Sequence, residues 1–143
     1  MKKPLMIGLP IAAVVMLLAV WDGGSVTGQI TKGKTRPVKT EQLMEGISKP
    51  NCAALGKGLK KQPADDKAWE ALALHAALLN ELGYILMEDD RCPDAVWANA
   101  TKTLREKSLE VLNKIEAKDL DGANAAFKEM TGACAACHKA HKK

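Results

Sequence analysis

The chain has 143 residues, a formal net charge of +4, 27% charged residues and only 3% aromatic residues. That length suits one domain of ordinary size, and so small a positive excess excludes a nucleic-acid binder driven by charge alone. Rings are so few that a core built on Ala and Leu has space for a bulky apolar guest.

Residues 1–28 read as an export signal, to be set apart from the fold. Met1-Lys2-Lys3 is basic, Leu5 to Val20 is almost wholly apolar, and Gly23 to Gly28 is small and polar. Val26 and Gly28 suit a cleavage site that leaves Gln29 first. The other reading is an uncleaved N-terminal anchor. An apolar run of about 16 residues is short for a span of roughly 20, so cleavage is the expectation, and membrane contact follows only if the leader stays. Residues 29–39, rich in Gly, Thr and Lys, read as a flexible leader to a domain at 40–143.

From Thr40 onward Ala, Leu, Lys and Glu dominate, which favours helix. The first helix is expected from about Thr40 to Lys61, with Leu43, Met44, Ile47, Leu55 and Leu59 at helical spacing and a kink or break just before Pro50. The second opens at Asp65-Asp66 and runs to about Met87, with Leu72, His75, Leu79, Leu82 and Leu86 on one stripe. The third starts after Cys92, with Pro93 at its first position. Trp97, Ala100, Leu104, Ser108, Val111 and Ile115 share its inner face. The fourth starts near Asp119. Its stripe reads Leu120, Asn124, Phe127, Thr131, Cys134 and His138, with Ala123, Met130 and Cys137 beside it. Glu88-Asp89-Asp90 read as helix-end charges. Short connections force antiparallel neighbours, so the expected fold is an all-α, up-down-up-down four-helix bundle.

The strongest chemical signal is Cys134-Ala135-Ala136-Cys137-His138, since C-x-x-C-H is the pattern of c-type haem attachment. Two thiols must reach two vinyl groups on one edge of the porphyrin, and the next residue must turn its imidazole to the iron. Positions i, i+3 and i+4 of a helix share one face. Ala133, Ala135 and Ala136 are small enough to let a macrocycle lie close. Two other chemistries compete. A zinc site of Cys134, Cys137, His138 and His141 places all four ligands on one stripe, which cannot surround a metal tetrahedrally. A dithiol redox motif expects a helix N-terminus and neighbouring strands, whereas this motif lies near a helix C-terminus.

A chain with an export signal, four helices and Cys-x-x-Cys-His near its C-terminus resembles the class II cytochromes c, the cytochrome c prime family. The resemblance covers about residues 40–142. It implies one covalent haem with His138 as proximal iron ligand, and a residue of the first helix on the distal side. Met44 stands at that place. In low-spin members a methionine there binds iron; in high-spin members an apolar residue leaves the site open. His75 is the alternative distal ligand. The family often carries an Arg after the motif, where this chain has Lys142, and Pro50 is a departure in the first helix. The resemblance also allows a homodimer.

Phe127, Met130 and Thr131 precede Cys134 on its own face and either line the haem or pack against neighbours. Cys52 and Cys92, outside the motif, are candidates for a disulfide in an oxidising compartment. Lys139, Lys142 and Lys143 form a solvated end or a docking patch for an acidic redox partner. No paired carboxylates, phosphate loop or nucleophile triad appears, so catalysis is not expected. Three functions follow: a periplasmic carrier of single electrons, a haem protein open to nitric oxide or carbon monoxide, or a zinc-stabilised structural bundle.

Overall fold

The computed structural model describes residues 33–142. The signal expected at 1–28 and the terminal Lys143 lie outside the described residues. Within them the secondary structure is helical. A short helix α1 (Thr40–Leu43), a π-helical turn (Met44–Ser48) and α2 (Lys49–Gly58) follow one another and make the first rod. The other three are α3 (Asp66–Ile85), α4 (Ala95–Glu116) and α5 (Leu120–His141).

Each of the three long helices begins on an aspartate that accepts a hydrogen bond from the first turn. Asp65 accepts from the Ala68 N–H at 2.8 Å, Asp94 from Trp97 at 2.9 Å and Asp119 from Gly122 at 2.9 Å. Such caps satisfy orphan donors at a helix start. The cap of α4 is therefore Asp94, and Pro93 precedes the helix instead of opening it.

The irregularity expected just before Pro50 is a π-helical turn and not a break. Proline offers no N–H, and its ring collides with the carbonyl four residues earlier in a regular helix. Here that carbonyl belongs to Gly46, inside the π turn. The wider turn relieves the clash while the rod continues through Pro50, a recognised use of π-helical geometry.

The core forms where the rods meet. α2 packs on α3, α3 on α4 and α4 on α5. Leu55, Ala76, Leu79, Leu82, Val111, Ala123 and Met130 are wholly buried, and Leu59, Ile115 and Ala126 nearly so. Each fully buried leucine contributes roughly 1.5–3 kcal/mol relative to exposure. Gly58 permits the close approach of α2 to α3, because a Cβ there would strike the Leu72 methyls. Trp97 joins the end of α3 to α4 through its indole N–H, which donates to the Leu86 carbonyl at 2.8 Å. Lys107 of α4 reaches Glu129 of α5, and also pairs with Glu110 on its own helix. The hydrogen bonds that Lys107 donates to the two carboxylates push its pKa up.

Two expectations need correction. The buried line of α5 is Ala123, Ala126 and Met130, not the stripe through Asn124 and His138, both of which are exposed. The small alanines let α5 lie close on α4, which turns the face of Phe127, Thr131 and Cys134 to the edge of the core. Residues 33–39, taken as part of a flexible leader, are a strap tied to the link between α3 and α4. The Asp89 carboxylate accepts from Thr35 N–H and Thr35 Oγ1, both at 2.8 Å, and from the Arg36 N–H at 2.9 Å. Arg91, 1% exposed, donates from Nη2 to the Val38 carbonyl at 2.9 Å and lies 3.5 Å from Asp89 through Nη1. Gly33 is required beneath this contact, since a Cβ would strike the Asp89 carboxylate and the Arg91 guanidinium. Asp89 is thus an anchor for the strap and not a helix-end charge.

Candidate haem-attachment site

Cys134, Cys137 and His138 lie in the C-terminal half of α5 and open onto one recess. Its other lining residues come from every rod: Met44 and Ser48 from the π turn, Leu86 from just past α3, Ala100, Thr101 and Leu104 from α4, and Ala133 from α5. The cavity volume is only about 30 Å³, far below the roughly 300–1,000 Å³ found for ligand sites, so these residues meet at a narrow cleft that would have to open to take in a macrocycle. Apart from Ser48 and Thr101, the wall is aliphatic, sulfur or imidazole.

The π turn decides where Met44 stands. It places Met44, half-buried, in the same recess as the C-x-x-C-H residues although they lie some ninety positions later in the chain. The proline departure in the first helix therefore does not remove Met44 from the site.

The thiols rest in an apolar setting. Burial, followed by the neighbouring Cys52 and Cys137 thiols, pushes the Cys134 pKa up to about 11. Burial and then Asp94 raise Cys137. Burial also raises Cys52, against a hydrogen bond with Ser48. A redox-active dithiol needs the opposite shift, toward thiolate, so the dithiol reading loses its physical basis.

The zinc set is not assembled either. His141 turns toward the start of α4: its side chain is 8% exposed, with Nε2 3.5 Å from Asp94 and its ring edge-on to Trp97 at 5.4 Å between centroids. Among the described residues, no group of three or more His, Cys, Asp and Glu side chains is placed to hold a metal ion.

No protein-family model matches this chain, and no curated protein or solved structure is significantly similar to it. The site therefore rests on its own residues. Their donor set fits a haem held covalently: two protonated thiols spaced i, i+3, an imidazole at i+4 and a thioether sharing one mostly apolar recess. His138 is solvent-exposed on α5.

The other candidates fall elsewhere. His75 does not line the recess; its Nδ1 is 2.7 Å from Asn51 Oδ1. Phe127 packs beside Gly56 of α2, Met130 is fully buried in the core, and Thr131 Oγ1 donates to the Lys128 carbonyl at 2.9 Å. Phe127 and Met130 pack with the core, and none of the three lines the recess. Cys52 and Cys92 are separate thiols, not a bridge. Cys52 is coupled to Ser48 and Cys134, whereas Cys92 Sγ lies 3.5 Å from the Asp94 carbonyl in the link before α4. Sequence reading missed Ser48, Thr101 and the Asn51–His75 pair. The signal for the pair was present: Asn51 is the polar residue interrupting the run Leu43, Ile47, Leu55, Leu59.

Proposed function

We propose that this chain is an exported c-type cytochrome that carries single electrons. Cys134 and Cys137 would hold haem through two thioethers, and His138 and Met44 would ligate its iron. The observation that carries this reading is the convergence of Met44 with the three motif residues on one largely aliphatic recess.

When bound, haem supplies a metal centre that takes up and gives back one electron. The chain's own part is to position and to insulate. Leu86, Ala100, Leu104 and Ala133 exclude water from the recess wall. A thioether opposite an imidazole raises the reduction potential relative to two nitrogen ligands. Exposed Lys139 and Lys142 follow the motif closely and suit transient docking of an acidic redox partner. The links 59–65, 86–94 and 117–119, with each rod packed on the next, support an antiparallel up-down-up-down bundle of the class II cytochrome c kind. The basic and apolar leader supports export to the periplasm. No described helix is long and apolar enough to cross a membrane.

The test is the optical spectrum after expression with haem-maturation machinery. A sharp reduced α-band that carbon monoxide leaves unchanged supports the carrier. A broad spectrum that shifts with carbon monoxide makes the protein a gas binder with an open distal site.

A further inference from the structure

Asn51 is a buried amide, 6% exposed, on the inner side of the first rod. Its Nδ2 donates to the Ile47 carbonyl at 2.6 Å, and Ile47 belongs to the π turn that carries Met44. The remaining end of the amide, Oδ1, faces Nδ1 of His75 on α3 at 2.7 Å. These bonds fix each other's polarity. An amide that donates from Nδ2 to a carbonyl presents only an acceptor on its other side, so His75 Nδ1 carries the proton and donates. A carbonyl of an irregular turn is thereby tied, through two short hydrogen bonds, to a regular twenty-residue helix.

We propose that Asn51 and His75 are a positioning pair: His75 orients Asn51, Asn51 holds the π turn at Ile47, and the turn holds Met44 toward the haem recess. The consequence for Met44 rests on the haem reading; the clamp on the turn does not. His75 thus acts on the site without entering it. Pro50 lacks a backbone donor in this same stretch, and the amide of the next residue, Asn51, adds a side-chain bond at Ile47.

The pair differs from an ordinary buried polar contact between α2 and α3 in what its loss disturbs. A contact that only joins the helices would loosen both along their length. A clamp on the turn loosens residues 44–52 first and leaves the middle of α3 as protected as before.

Three variants of the full chain test this: Asn51→Leu, which removes both bonds; His75→Phe, which leaves Asn51 Oδ1 without its donor; and His75→Gln, which restores an amide donor. Amide hydrogen exchange is read along the chain for each, beside the carbon monoxide response of the reduced protein. Asn51→Leu and His75→Phe are expected to speed exchange in residues 44–52 by about tenfold, the factor for one lost hydrogen bond, with no matching change at 72–82. Both should gain a spectral shift with carbon monoxide, and His75→Gln should recover most of the parent behaviour in both readouts. Unchanged exchange in the turn overturns the proposal, as does loosening spread evenly over α2 and α3, or unfolding of all three variants alike. The exchange result stands whether or not haem is attached, so the clamp and the haem reading fail separately.

Discussion

Truncating Met44 to Ala separates its role at the site from its role in packing. Met44 is half-buried on the π turn. Full burial of a methionine makes its loss to alanine cost about 2–5 kcal/mol, so a half-buried one should cost about 1–2.5 kcal/mol, each kcal/mol lowering the melting temperature by roughly 4–8 °C for a domain of about 100 residues. Met130 is the control. It is 0% exposed in the core beside α4 and lines no part of the recess, so Met130→Ala should cost about 2–5 kcal/mol. The assay is the reduced spectrum of each purified variant with and without carbon monoxide, beside its thermal melt. Met44→Ala should melt lower by that amount yet lose the sharp α-band and shift with carbon monoxide. Met130→Ala should melt much lower while its spectrum stays that of the parent. A carbon monoxide response that follows stability, largest in Met130→Ala, would refute the assignment of Met44 as ligand.

Further outcomes follow from the links. Lys118 holds φ 56° as the left-handed residue of a Schellman-type end to α4, with its N–H on the Ile115 carbonyl and the Asp119 N–H on Lys114. Lys118 Nζ also pairs with Asp66 at 2.7 Å, so the backbone is isolated by comparing Lys118→Gly with Lys118→Ala: the glycine variant should be the more stable by about 0.5–1 kcal/mol in a denaturant melt, and an equal or lower midpoint for glycine would contradict the strain argument. At Asp89, burial pushes the pKa up, but hydrogen bonds from the Thr35 and Arg36 N–H groups and the Thr35 hydroxyl, with the Arg91 charge, outweigh it and hold the carboxyl below its ordinary range. A depressed folded value means that the strap's anchorage is complete above the unfolded pKa near about 4 and is lost as pH falls through the lower folded value. The Thr35 and Arg36 amide resonances should shift in that acid window and stay fixed above it, and a transition near neutrality would be the wrong sign. Cys52 and Cys92, as separate thiols, should both take up an alkylating reagent when the chain is unfolded without reductant; protection of the pair would restore the bridge.

What was legible in the sequence is local in character. The helices α3 and α4 announce themselves through Asp65, the Leu72–Leu79–Leu82 stripe and the Trp97–Leu104–Val111–Ile115 stripe, each a pattern within one or two turns. The C-x-x-C-H motif is equally local. The misreadings have two physical causes. One is degeneracy: in a helix as alanine-rich as α5, Ala123 and Ala126 signal burial no more strongly than Phe127 signals an edge, so the inner face was drawn one position away. The other is distance: the contacts of Asp89 with Thr35 and Arg36 span 54 and 53 positions, and the His75–Asn51 bond spans 24. Pro50 lies between these cases. Its lack of an N–H is plain from the sequence, but whether a helix breaks or widens depends on what else holds it, here Asn51 on Ile47.

The most direct measurement is the intact mass of the mature protein purified from cells able to install haem, taken under denaturing conditions. The mass should equal that of the processed chain plus one covalent haem, with the modified peptide containing Cys134 and Cys137. A chain of bare polypeptide mass, folded and with both of those thiols free, would contradict the account at its root.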